Sequence, residues 1–165
     1  MLDFSGPALA GFWEKAEQIR VGLRSGAGCY LFAVRAAKGF TPWYVGQSKG
    51  AFDTECFALH KQAIYKDVMD DRKSGTPVLF LIARTTPTGR LSKRVSPREA
   101  NFVERRLIHD ANNANPKLKN IHNAVLAKTL QIPGVLNSPK GRRSPAVAHL
   151  MKALTSSRPS RSRGG

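Results

Sequence analysis

Gly28-Cys29-Tyr30-Leu31-Phe32-Ala33-Val34-Arg35-Ala36, followed by Trp43-Tyr44-Val45-Gly46-Gln47, is the stretch that decides the fold. Residues 29 to 36 and 43 to 47 are short apolar runs with strand character, joined by a segment containing Gly39 and Pro42, and so predict a hairpin. Period-two alternation puts Tyr30, Phe32 and Val34 on one side of the first strand and Cys29, Leu31 and Ala33 on the other. Upstream, Leu9, Phe12, Trp13, Ala16, Ile19 and Leu23 recur at helical spacing behind Pro7, predicting a helix over 8 to 24 that Ser25 to Gly28 break. Downstream, a helix is predicted over about 52 to 71, stopped by the polar run 70 to 75. Residues 77 to 84 read as a buried third strand.

A third helix is announced by Ser96-Pro97-Arg98-Glu99: serine as N-cap, proline in the first turn and glutamate closing a capping box. At 100° per residue, Val103, Leu107, Ala100, Ala111 and Ile108 form one apolar stripe, and Glu104 falls inside it. An ionised carboxylate facing a core costs several kcal/mol unless a cation, a metal or several donors meet it. Glu104 is therefore either half of a structural ion pair or part of a site.

Composition constrains the partners. The chain has 165 residues, of which 41% are apolar, enough for one packed domain with extensions. Its 27 Lys and Arg against 11 Asp and Glu give a formal charge of +16, which favours a polyanion. Nucleic acid is the first candidate and a membrane surface the rival. No apolar run approaches the roughly 18 residues of a membrane span, and no signal segment is apparent, so the expectation is a soluble, cytoplasmic, nucleic-acid-associated protein. Cys29 and Cys56 have neither zinc-ligand nor disulfide-scaffold spacing and read as reduced packing residues. Beyond Asp110 there is no acidic residue, while ten Lys and Arg accumulate, among them Lys140, Arg142 and Arg143. The chain thus divides into a helical extension (1–25), a domain (26–125) and a basic tail (126–165). Disorder is expected at the end of that tail, and a short helix is compatible with 146 to 154. The tail reads as a nucleic-acid-binding arm, or else as a solubilising terminus.

The order of these parts resembles the GIY-YIG nuclease superfamily over about residues 27 to 123. Gly28-Cys29-Tyr30 stands for the first motif and Trp43-Tyr44-Val45-Gly46 for the second. Val103-Glu104-Arg105-Arg106 matches the glutamate helix, and Asn115-Pro116 through Asn120 the closing asparagine segment. The resemblance implies a small α/β domain with a three-stranded, mainly antiparallel sheet flanked by helices. It implies a metal-dependent endonuclease that hydrolyses phosphodiester bonds in DNA. Glu104 would hold one divalent metal, for which Mg²⁺ suits hard oxygen ligands. Tyr30 would act as general base or orient water, Tyr44 would hydrogen-bond beside it, and Asn120 would brace the site.

One element of the family pattern is missing. An arginine is usual about ten residues after the second tyrosine, where its planar fork binds the scissile phosphate. Residues 52 to 61 contain none. His60 and Lys61 are the nearest candidates to take its place at the phosphate, with Lys49 within reach from just beyond the second strand. Glu55 reads as a second metal ligand, a pairing residue or a sign of lost catalysis. Two further functions are compatible with the sequence: a non-catalytic nucleic-acid-binding module on the same fold, and a small basic RNA-associated protein. The nuclease reading requires Tyr30, Tyr44 and Glu104 to converge on one concave face. Placing Glu104 on the far side of the sheet from Tyr30 would make the nuclease reading fail.

Overall fold

The computed structural model describes residues 2–37, 39–72, 74–120 and 145–155. Its elements are α1 (Gly6–Ile19), β1 (Gly28–Ala36), β2 (Gly39–Ser48), α2 (Phe52–Glu55), α3 (Leu59–Asp71), β3 (Thr76–Ala83), α4 (Pro97–Ala114) and α5 (Pro145–Thr155). The three strands form one antiparallel sheet in the order β2-β1-β3, flanked by helices, in agreement with the predicted α/β class. Among the described residues no helix is long and apolar enough to cross a membrane.

The alternation along β1 sorts the core into two layers. Cys29, Leu31 and Ala33, with Val45 of β2, pack against Leu107, Ile108 and Ala111 of α4 and Leu150 and Leu154 of α5. Tyr30 packs with Trp13 and Ala16 of α1 and with Phe52 and Cys56 at α2. Phe32 and Val34 pack with Tyr65 and Val68 of α3. Both cysteines are free and buried, as expected of packing residues, and burial pushes both thiols well up.

Several boundaries differ from the sequence expectation. Helix α1 stops at Ile19 rather than 24, because Gly22 turns the chain at φ 89° and the Glu17 carboxylate accepts the Gly22 and Arg24 amides at 2.7 Å each. The hairpin is longer than predicted: Gly39 and Pro42 lie inside β2. An edge strand tolerates a proline. Between Tyr44, opposite Phe32, and Pro42, opposite Ala33, Trp43 is an extra residue, a β-bulge. The bulge lets Trp43 and Tyr44 both reach the layer around Phe32 and Tyr65.

The helix predicted over 52 to 71 is broken. Ala58 is extended (φ −56°, ψ 145°) and its carbonyl restarts the helix by accepting from Lys61 N (2.8 Å) and Gln62 N (3.1 Å). The break seats Phe57 against Phe12, Trp13 and Phe4, with ring centroids 5.1, 5.8 and 5.9 Å apart. Finally, part of the expected tail belongs to the core. Helix α5 lies on α4 and β2, burying Leu150, Ala153 and Leu154. The predicted arm residues Lys140, Arg142 and Arg143 lie outside the described residues.

Candidate functional site

Both motif glycines are required by close packing. A Cβ on Gly46 would stand 2.3 Å from both Cζ and Oη of Tyr30, whose ring lies across the facing strand; one on Gly28 would meet the Ile82 carbonyl oxygen at 2.1 Å. Tyr30 is thereby locked in place. It is fully buried, its ring centroid 6.3 Å from that of Tyr44 in a stacked arrangement, and its hydroxyl has no hydrogen-bond partner. Burial, reinforced by Tyr65 and Tyr44, pushes this phenol far above its ordinary value. A base with no exposed oxygen cannot reach an attacking water, so the water-contacting role expected of Tyr30 does not fit its surroundings.

Tyr44 is the exposed member of the pair, half-buried on β2. Desolvation raises its pKa first, then the negative charges of Glu104 and Glu55, while the nearby Tyr30 hydroxyl acts in the opposite sense without reaching hydrogen-bonding geometry. Lys61 lies beneath the Tyr30 ring. The helix break turns it inward, leaving the residue 3% exposed, with Nζ 5.2 Å from the Tyr30 ring centroid. Its ammonium donates to the Glu55 carbonyl at 2.9 Å and pairs with the Glu55 carboxylate. Of the three readings of Glu55, the structure thus favours the pairing residue. His60, one position earlier, is exposed on α3 with no interaction linking it to the cluster.

Glu104 departs from the predicted convergence. The apolar stripe of α4 packs on the Cys29–Leu31 face, whereas Tyr30 and Tyr44 pack toward α1 and α3, so Glu104 does not join the tyrosines on one concave face and meets them only at the edge of β2, where its charge acts on Tyr44 and Lys61. The carboxylate stands beside edge strand β2. Its Oε2 accepts from Gln47 Nε2 at 2.9 Å on the α4 side, yet its charge acts on Tyr44 across the strand. Burial raises the Glu104 pKa above the usual carboxylate range, opposed by the Gln47 hydrogen bond and by the charges of Lys61, Lys49 and Arg105. Among the described residues no Lys or Arg nitrogen forms an ion pair with it.

Two members of this cluster escaped the sequence reading. Gln47 Nε2 also donates to Asn101 Oδ1 at 2.7 Å, while Gln47 Oε1 is buried without a partner. Asn101 lies three residues before Glu104, on the same side of α4. That spacing was the available signal. Asn120 is tied to edge strand β2, its side chain donating to the Val45 carbonyl and accepting from the Val45 amide (3.1 Å). Asn115 Nδ2 adds a bond to the Pro42 carbonyl at 2.7 Å. Lys49 is exposed just past β2.

Among the described residues no three His, Cys, Asp or Glu side chains gather as a metal-binding group. Any metal here would rest on the single carboxylate of Glu104 and neighbouring amide oxygens. Comparison with known families, curated proteins and solved structures finds no match to this chain.

Proposed function

We propose that the chain is a metal-dependent endonuclease of the GIY-YIG type, hydrolysing phosphodiester bonds in DNA. The observation that carries this reading is Glu104: a half-buried carboxylate without an ion-pair partner among the described residues, electrostatically tied to Tyr44 and Lys61. A structural ion pair would have put a cation on it. A hard cation held by Glu104 Oε2 and Asn101 Oδ1 would take the place that Gln47 Nε2 now occupies between those two oxygens. A bound Mg²⁺ would supply charge stabilisation on the phosphate and the leaving oxygen.

The chain's own residues divide the remaining work. Tyr44 has the accessible hydroxyl and orients the attacking water; Tyr30 forms the wall that fixes Tyr44. Lys61 is too buried to grip a phosphate, and its positive charge acts on Glu104. Lys49, exposed at the mouth, meets the phosphate. The magnesium and DNA assignments rest on this chemistry together with the resemblance of the motifs.

A second reading, a non-catalytic nucleic-acid-binding module, is favoured by two observations. Lys61 is already neutralised by Glu55, and α4 lies across the sheet from Tyr30. Supercoiled plasmid incubated with Mg²⁺ or EDTA separates the two. The nuclease nicks in Mg²⁺ alone, Lys61→Ala slows nicking, and Lys61→Arg retains more activity than Lys61→Ala. A wild-type protein that binds plasmid but leaves it intact establishes the binding module instead.

A further inference from the structure

The loop between β3 and α4 carries cations that the site does not use. Residues 84 to 98 hold Arg84, Arg90, Lys93, Arg94 and Arg98 and no acid. Arg84 is taken by Glu99, its Nε lying 2.8 and 2.9 Å from the two carboxylate oxygens. Arg90, Lys93, Arg94 and Arg98 are exposed, and none forms an ion pair among the described residues. Nearby acids are already satisfied: Asp53 by Arg24 at 2.7 Å, and Glu17 by two backbone amides.

This loop is built, unlike a solvated charge run. It folds back on itself through Thr86 N to Arg90 O (2.8 Å) and Ser92 N to Arg84 O (2.9 Å), and Arg20 Nη2 donates to Gly89 O at 2.6 Å. Two bonds tie it to the start of β1: Ala27 N to Ser92 O (2.9 Å) and Arg84 N to Ala27 O (2.8 Å). A third, Val95 N to Lys49 O (3.2 Å), ties it to the residue just past the second motif, and Val95 is buried with Ala27 and Ala100. The backbone at Lys93 and Arg94 is therefore held near that of Lys49, so the ordering cost of the loop backbone is met on folding rather than on binding.

We propose that the 84–98 loop is a clamp for the phosphodiester backbone of a nucleic acid, holding the polymer against Lys49 at the mouth of the site. The inference rests on the nucleic-acid reading above but not on catalysis. Phosphate contacts fix register without reading sequence, which is what Lys and Arg on a preset backbone supply.

The test compares two double variants of equal formal charge, each +14 after losing two from +16. Lys93→Ala/Arg94→Ala removes clamp cations, and Lys15→Ala/Lys66→Ala removes exposed cations on α1 and α3. Binding of a fluorescent 20-base-pair duplex is titrated against salt in EDTA, once as DNA and once as RNA of the same sequence. The clamp variant is expected to flatten the log–log salt dependence on DNA by about 1.8, two contacts at roughly 0.9 each, while the control keeps the wild-type slope. A selective loss on either duplex supports the clamp, and the larger loss identifies the polymer. Equal slopes for the two variants overturn the clamp and leave the nuclease reading standing, to be decided by Mg²⁺-dependent nicking. A wild type that binds neither duplex overturns both.

Discussion

Replacing Gly46 by alanine puts a methyl group where Tyr30 already is. The added carbon lies 2.3 Å from Cζ and Oη and 2.8 Å from Cε2, against the 3.5 to 4 Å at which carbon atoms normally rest, so the ring must shift by about 1 Å. Little can yield: Tyr30 is fully buried among Trp13, Ala16, Phe52 and Cys56, and Gly46 is backbone in the sheet. Overpacking of this kind costs about 1–3 kcal/mol, and the enclosed ring points to the upper end. For a protein of this size that lowers the thermal midpoint by roughly 6–12 °C. Tyr30→Leu alone should also destabilise, by emptying part of the ring's space. In the Tyr30→Leu background, however, the alanine methyl finds room and Gly46→Ala should cost less than about 1 kcal/mol, a coupling that a double-mutant cycle in urea measures. Equal cost of Gly46→Ala in both backgrounds, or no cost in the wild type, refutes the packing argument for the second-motif glycine.

Other consequences are as definite. Because the folded-state pKa of Glu104 lies above its unfolded value, the ionised carboxylate costs stability at neutral pH, and the cost disappears below the ordinary glutamate value of about 4.3. Glu104→Gln should therefore raise the thermal midpoint at pH 7 by a few degrees, a gain that shrinks toward pH 4; a lower midpoint at pH 7 would mean that Gln has stranded a paired cation. Tyr30→Phe removes a buried hydroxyl without a partner and should leave stability unchanged or raise it by up to about 2 kcal/mol, with nicking retained, whereas lost nicking in a stable protein would restore Tyr30 as a catalytic group. Leu150→Ala and Leu154→Ala should each cost about 2–5 kcal/mol in chemical denaturation, since both fill the layer beneath β1, and neutrality of both would place α5 outside the core.

What was legible in the sequence follows from how local each determinant is. The two faces of β1 are set by strict alternation, and the start of α4 by its serine N-cap, Ser96 Oγ accepting from Glu99 N at 3.2 Å, although the Glu99 carboxylate pairs with Arg84 instead of closing the predicted capping box. Both are written within a few residues. The bulge at Trp43 is different, because Pro42 reads as a loop signal until β2 is known to be an edge strand. The break at 56–58 exists to seat Phe57 among aromatic rings from α1 and the N-terminal segment, a demand invisible in a window that otherwise reads helical. That break also turns Lys61 inward and leaves His60 outside, so choosing between them required tertiary structure. Glu104 was found by its misplaced charge, but the apolar stripe points to the α4 face and could not show that the carboxylate stands beside the edge of β2. Gln47 and Asn101 carry no charge and left only a spacing signal. Helix α5 was visible as a periodic segment, yet its burial depends on a groove between α4 and β2 that no local pattern encodes.

In the proposed nuclease, Glu104 holds the metal. The direct measurement is relaxation of supercoiled plasmid by wild type and Glu104→Gln, in Mg²⁺ and in EDTA, with duplex binding and the thermal midpoint read on the same preparations. Wild type is expected to nick in Mg²⁺ alone, and the Glu104→Gln protein to fold and bind DNA like wild type but not to cut. A Glu104→Gln protein that still nicks plasmid in Mg²⁺, or a folded wild type that never does, would contradict this assignment.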